Sequence, residues 1–186
     1  MRCHACRRLS LSPICRSCRE LYLFPEPKVR TLETGLKVVS FFSYDEVEPF
    51  LLTKHTPHGW FVYRVLAREA FATLERSTDT WAIPVDDMAA GGYSHTALLA
   101  KALRKRGYRP LYEALRARNR VSYAGQSRAF RLENPRNFAY AGPAGIRAVL
   151  VDDIVTTGLT LQEAHGALLK AGVEVAHAFV LADVDR

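Results

Sequence analysis

Four cysteines open the chain, Cys3, Cys6, Cys15 and Cys18, in the spacing C-x2-C-x8-C-x2-C. Each two-residue gap lets a tight turn aim two thiolates at one point, and two such knuckles complete a tetrahedral sulfur set that suits Zn(II). Four protein ligands leave no open coordination position, so the metal would be structural. Redox-active thiols and an iron–sulfur centre stay open as the other readings of the same residues. A segment this small has almost no core of its own, so metal binding would supply much of its folding energy.

The second chemical signal is Ala-Val-Leu-Val-Asp-Asp-Ile-Val-Thr-Thr-Gly-Leu-Thr at residues 148–160. The unbroken apolar run from Ala148 to Val151 is what a strand buried on both faces requires, and open α/β sheets bind ligands beyond the carboxyl ends of such strands. Asp152 and Asp153 stand at that end. Thr156, Thr157, Gly158 and Thr160 then offer hydroxyls, a flexible turn and the free N–H groups of a helix start, which together can cradle a phosphate. Adjacent carboxylates repel a phosphate, so their physical use is to accept hydrogen bonds from sugar hydroxyls or to hold Mg²⁺ through ligand or water.

Those residues need a framework, and the sequence predicts one. Leu36 to Tyr44 reads as a strand, Phe61 to Arg76 as a helix with Phe61, Val65, Leu66, Ala70, Phe71 and Leu74 on its apolar face, and Trp81 to Val85 as a short strand. A short helix or turn fits Val47 to Lys54, followed by a loop from Thr53 to Gly59. Ser94 is placed to cap a helix through Arg106, closed by Gly107. Residues 118–140 lack a clean period and read as a mobile basic loop, with a short helix near Ser127 to Leu132 as the other option. A helix to about Ala171 and a strand from Val173 to Leu181 complete a strand, helix, strand order typical of a parallel sheet. Phe24-Pro25-Glu26-Pro27-Lys28 reads as an extended connector, giving a zinc-ribbon extension over residues 1–28 and an α/β domain over 29–186.

Residues 148–160 resemble the 5-phosphoribosyl 1-pyrophosphate (PRPP) binding motif of type I phosphoribosyltransferases. With the cysteine knuckles, and with Ser94 to Ala100 and Gln126 to Asn134, the chain resembles the ComF (ComFC) family of competence-associated phosphoribosyltransferase-like proteins over almost its whole length. The resemblance implies a type I phosphoribosyltransferase-like, Rossmann-like parallel sheet behind the four-cysteine ribbon. It implies that Asp152 and Asp153 address ribose while Thr156, Thr157, Gly158 and Thr160 hold the 5′-phosphate, with Mg²⁺ accompanying PRPP. Tyr44 and Lys54 fall where the family tends to carry a tyrosine and a lysine near the active site. After Pro84 and Val85, relatives tend to carry basic residues, whereas this chain has Asp86 and Asp87, which removes a direct electrostatic clamp on pyrophosphate unless Mg²⁺ bridges the charges. Family members support natural transformation by handling incoming single-stranded DNA, with competence or recombination proteins as partners.

Net charge is +7, and residues 101–147 hold twelve basic side chains against two acidic ones, with seven against two in residues 1–30. An anionic partner is therefore drawn to two regions while the remainder is net negative. Arg128 and Arg131, in the basic segment, are placed to close over a leaving pyrophosphate should transfer to an acceptor take place. The same arginines, interleaved with Tyr123, Phe130 and Phe138, equally suit a non-enzymatic module that grips nucleic acid or protein, its phosphoribosyl pocket being sensory or vestigial. No segment names an acceptor base. His55, His58, His95, His165 and His177 form no metal cluster by spacing, and His165 reads as a helix-surface residue. The composition, 48% hydrophobic and 24% charged, excludes a disordered chain, and the lack of a long apolar run excludes a membrane span. The start of the sequence lacks the apolar region of a signal peptide, and cysteines confined to the first 18 residues fit a reducing compartment, so a cytoplasmic location is expected.

Overall fold

A computed structural model describes residues 1–85, 92–119 and 127–184, without the side chains of Arg128, Arg131 and Leu132. The first knuckle is a small hairpin in which Arg2 bridges Leu9, and helix α1 (Arg16–Tyr22) follows the second. Strand β1 (Lys28–Thr31) turns back through Gly35, at φ 79°, into β2 (Lys37–Ser43). Helix α2 (Tyr44–Leu51) starts where Glu46 Oε2 accepts the Ser43 N–H, and one 3-10 turn (Leu52–His55) carries Lys54.

Helix α3 runs Pro57–Ala70, earlier at both ends than the apolar pattern predicts. Thr56 accepts the Gly59 N–H, and Pro57 occupies the first helical position, where its missing N–H costs nothing. Its buried residues are Gly59, Val62, Tyr63, Val65, Leu66, Ala67 and Ala70, whereas Phe61 is 44% exposed and belongs to the outer face. Strand β3 (Trp81–Pro84) and helix α4 (His95–Leu103) match the prediction. Ser94 accepts the Ala97 N–H, and a 3-10 turn over Arg104–Arg106 ends at Gly107, whose φ of 86° suits glycine.

Two short strands follow, β4 (Arg109–Pro110) and β5 (Leu115–Ala117). Within the stretch predicted as a loop lie helix α5 (Arg128–Glu133), capped by Ser127, and β6 (Phe138–Tyr140), which pairs with β5 in a separate two-stranded sheet. Strand β7 (Arg147–Val155), helix α6 (Leu159–Lys170) and strand β8 (Glu174–Asp183) complete the described residues. The main sheet has the order β1-β2-β8-β7-β3-β4, parallel except for β1.

Side chains alternate across this sheet into two apolar layers. Val149, Val151, Phe179 and Leu181 join the layer under α2, α3 and α4, while Ala148, Leu150, Ala178 and Val180 join the layer under α6. The cysteine-bearing segment is built into the first layer, because Cys3, Ile14, Cys18 and Leu23 are buried in the same cluster as Phe50 and Leu66. His165 is buried among the α6 contacts rather than on a helix surface, a correction that follows from its position one residue after Ala164 on the sheet-facing side.

Candidate functional site

Strand β7 continues past its apolar run, pairing with β8 as far as Val155 and Asp183. The acid pair therefore stands within the strand rather than after it. In step with Val149 and Val151, Asp153 meets the helical layer and is 5% exposed. Its Oδ2 accepts hydrogen bonds from Lys54 Nζ at 3.0 Å and from the Tyr63 hydroxyl at 3.1 Å, with His95 Nε2 at 3.6 Å. A 3-10 turn, α3 and the first residue of α4 thus converge on one oxygen.

The electrostatics follow from that geometry. Burial pushes the Asp153 carboxyl up, but His95 and Lys54 beside it outweigh burial and hold it below the usual carboxylate range. Burial opposes the charge on Lys54, and Asp153 more than offsets it, so the ammonium is raised. Tyr63 is pushed well above the ordinary phenol value, first by burial and then by Asp153. Asp152 is half-buried, and its Oδ1 accepts the Asp153 N–H at 2.8 Å. Burial and the adjacent Asp153 charge raise its carboxyl well above the usual range.

After Val155 the chain turns at Gly158, φ 77°, which caps α6. A Cβ there would come within 2.6 and 2.8 Å of the Leu32 methyl carbons, so glycine is required by both conformation and space. The first N–H groups of α6 have no partners within the helix and carry the positive end of its dipole. Arg30 reaches across from β1, donating to the Thr156 carbonyl at 2.7 Å and lying 3.3 Å from Asp183 Oδ2. The edge strand thereby fixes the back of the turn. Thr157 is exposed, and Thr156 and Thr160 are half-buried.

Of the residues singled out from sequence, Lys54 joins Asp152 and Asp153. Tyr44 opens α2, donates to Glu48 Oε1 at 3.0 Å, and is near enough to feel Lys54 and Asp153; burial and Glu48 raise its phenol. Val85 is buried and spends its N–H on the Val151 carbonyl at 2.9 Å, which makes it part of the frame. Asp86 lies outside the described residues, as do the side chains of Arg128 and Arg131, whose backbones belong to α5. His95 and Tyr63 were missed by spacing. The available signal was Tyr63 itself, a hydroxyl on a buried helical stripe, since such a group needs a polar partner.

His95, Asp152 and Asp153 bring ligand atoms within 4.8 Å of one another. The Lys54 ammonium already neutralises Asp153, so Mg²⁺ fits best at Asp152 together with the oxygens of a bound ligand. The four cysteine sulfurs also lie within 4.8 Å of one another, and Cys6 Sγ is 3.7 Å from Cys15 Sγ. That separation matches the edge of a zinc–sulfur tetrahedron, about 3.8 Å for bonds of about 2.3 Å. Burial raises the Cys3 thiol, but the backbone N–H groups of Cys15, Cys6 and Ala5 outweigh it and bring it to about 6. Burial and the neighbouring sulfurs push Cys18 up to about 12. His4, inside the first knuckle, bonds the Pro49 carbonyl through Nε2 at 3.0 Å and stacks on His58 at 5.4 Å.

Two open grooves lie elsewhere. One is lined by Tyr93, Ala97, Lys101 and Arg104, the other by Trp81, Tyr108 and Arg109, and neither includes the acid pair. Several cations of the basic segment are committed to the fold. Arg106 donates to the carbonyls of Phe71 and Ala72, and Arg109 pairs with Asp79 while lying over Trp81.

Residues 116–186 match the phosphoribosyl transferase domain. None of the curated proteins matches significantly. Among solved structures, the chain is similar to UMP synthase of Leishmania donovani, with 21% identity and a TM-score of 0.42 over 90% of this chain and 31% of that one. It is similar to orotate phosphoribosyltransferase from Aeropyrum pernix, with 19% identity and a TM-score of 0.43 over 90% and 80% of the two chains. For adenine phosphoribosyltransferase from Saccharomyces cerevisiae, identity is 15% and the TM-score 0.43, over 90% and 88%. The chain spans less than a third of the UMP synthase polypeptide. Its fold is that of the type I phosphoribosyltransferases, a mostly parallel α/β sheet, with a four-cysteine cluster at the N-terminus that could hold a metal. No described helix is long and apolar enough to cross a membrane.

Proposed function

We propose that this protein binds PRPP at the end of β7 and acts as a phosphoribosyltransferase-like protein of the ComF type. The single observation carrying the reading is the succession of Asp152, the Gly158 turn and the open amide end of α6, within the segment that matches the phosphoribosyl transferase domain. The turn from Thr156 to Thr160 holds the 5′-phosphate, the acidic end of the site receives ribose, and Lys54 and Tyr44 complete its wall. Mg²⁺, when bound with PRPP, supplies charge neutralisation for the pyrophosphate. Arg128 and Arg131 close over that group if transfer takes place, screening it from water.

Residues 1–28 form a zinc-ribbon extension and 29–186 the phosphoribosyltransferase-like domain. The resemblance to ComF proteins supports a cytoplasmic role in natural transformation, through the handling of incoming single-stranded DNA with competence or recombination proteins. Calorimetric titration of PRPP with Mg²⁺ into zinc-loaded protein tests the ligand. Saturable binding that disappears in Asp152→Ala/Asp153→Ala protein is expected, and no binding to folded wild-type protein sinks the reading. Single-stranded DNA titrated across a salt series tests the partner. Affinity that falls steeply with salt supports direct contact through the basic segment, and no measurable affinity removes it.

A further inference from the structure

One side chain of the first cysteine knuckle leaves it and reaches into the frame of the β7 site. His4 follows Cys3, and its own N–H donates to the Pro13 carbonyl at 2.7 Å. Its ring points outward from the knuckle. Nε2 lies 3.0 Å from the Pro49 carbonyl oxygen, a bond in which Nε2–H donates, and the imidazole stacks on His58 at 5.4 Å with 30° between the planes. Pro49 belongs to the last turn of α2, where carbonyls lack partners within the helix, and His58 belongs to the first turn of α3. One imidazole therefore bridges the two helix ends between which the 3-10 turn Leu52–His55 is strung.

That turn has little freedom once its flanks are fixed. Thr53 Oγ1 donates to the Phe50 carbonyl at 2.6 Å, and the Thr53 carbonyl accepts the Thr56 N–H at 2.9 Å. A Cβ at Gly59 would collide with the same Thr53 carbonyl oxygen, so α3 starts hard against the turn. Lys54, the next residue, donates from Nζ to Asp153 Oδ2 at 3.0 Å. A shift of Pro49 relative to His58 is thus passed to Lys54 through close-packed contacts. Zinc, when bound, pins Cys3 and Cys6 and with them the stretch that presents His4.

We infer that His4 is a positioning residue through which metal occupancy of the cysteine cluster sets the Lys54 turn, and with it the affinity of the phosphoribosyl site. This rests on the reading of the end of β7 as a phosphoribosyl site with Lys54 in its wall. His4 touches no ligand in this arrangement. Its contribution is to hold the two ends of the turn at one spacing.

The test uses PRPP with Mg²⁺ on the full chain. His4→Phe keeps a ring against His58 but cannot donate to Pro49, whereas His4→Gln keeps an N–H of similar reach. With zinc in place by metal analysis, His4→Phe should bind PRPP about fivefold more weakly, the scale of one hydrogen bond, and His4→Gln should stay within about twofold of wild type. Zinc is then stripped under reductant, and the chelator is dialysed away before Mg²⁺ is added. Wild-type affinity should fall by about fivefold or more, and that of His4→Phe by about twofold or less, since its link is already cut. By reciprocity, PRPP should tighten zinc binding to wild-type protein by the same factor, read by competition with a chromophoric chelator. A further measurement needs neither ligand nor stripped protein. Amide resonances of Thr53, Lys54 and His55 in the zinc-loaded, ¹⁵N-labelled chain should move in His4→Phe and return towards their wild-type positions in His4→Gln. These zinc-loaded comparisons decide the matter even where the stripped chain unfolds.

Zinc-loaded His4→Phe protein that binds PRPP as tightly as wild type, or whose residue 53–55 amides stay unmoved, overturns the inference. So does an equal loss on zinc removal in wild type and His4→Phe. Wild-type protein that binds no PRPP, while the turn amides do move in His4→Phe, refutes the phosphoribosyl reading and leaves His4 as the anchor of the turn.

Discussion

Replacing Gly158 with alanine should be costly for two separable reasons. The first is conformational, since φ of 77° places a side-chain-bearing residue in the left-handed region at a cost of about 1 kcal/mol. The second is steric, since the new Cβ would sit 2.6 and 2.8 Å from the Leu32 methyls and 3.3 Å from its Cγ. Leu32 is 9% exposed and packed with Leu36, Val38 and Leu161, so its side chain cannot simply swing away. Overpacking of that kind costs about 1–3 kcal/mol. The sum for Gly158→Ala is therefore about 2–4 kcal/mol. Leu32→Ala alone should cost about 2–4 kcal/mol through lost burial. In the double variant the steric part vanishes, so it should be more stable than the sum of the singles by about 1–3 kcal/mol. Urea unfolding of the four proteins measures this coupling directly. Additivity within about 0.5 kcal/mol would refute the close approach of Leu32 to the turn, and a Gly158→Ala protein as stable as wild type would refute the positive-φ argument as well.

Removing zinc by chelation should lower the melting temperature of the whole chain, because Ile14, Cys3 and Cys18 share a core with Phe50 and Leu66; zinc analysis and calorimetry check this, and an unchanged main transition would contradict it. Arg30→Met should weaken phosphate binding at the Thr156 turn severalfold by freeing the carbonyl now held at 2.7 Å, as phosphate competition would read out, and unchanged affinity would count against the latch. Burial lowers the imidazole pKa of His165 and, with Arg147 as a smaller cause, that of His177, from an ordinary value of 6.5. The folded chain then binds fewer protons than the unfolded one, so this stability is present above about pH 6.5 and is lost as pH falls through the folded values. Melts between pH 7.5 and 5.5 should show that loss, with a shallower slope in His177→Leu, and an unaltered slope would exclude His177 as a contributor.

Much of the frame was legible because it rests on local rules. Val149 and Val151 alternate with Leu150 across a two-sided strand, Ser94 and Gly107 bracket a helix by capping chemistry, and Gly158 marks a turn. The start of α3 was misplaced because the apolar pattern begins later than the Thr56 cap and Pro57, which are polar and conformational signals. Strands β5 and β6 escaped notice because each is three residues long and stabilised by the other across a gap in sequence. At the site, the acid pair and the turn were legible from one contiguous stretch. The lock on Asp153 was not, since Lys54, Tyr63 and His95 meet only after 3-10 turn, α3 and α4 have packed on β7, and no spacing encodes that meeting.

The most direct test of the central claim is to follow backbone amide resonances of uniformly ¹⁵N-labelled, zinc-loaded protein during titration with ribose 5-phosphate. The account predicts saturable shifts concentrated at Thr157, Gly158, Leu159 and Thr160, with Asp152 and Asp153 following. Shifts confined to the cysteine knuckles or the basic segment, with the Gly158 amide unmoved at saturation, would contradict it.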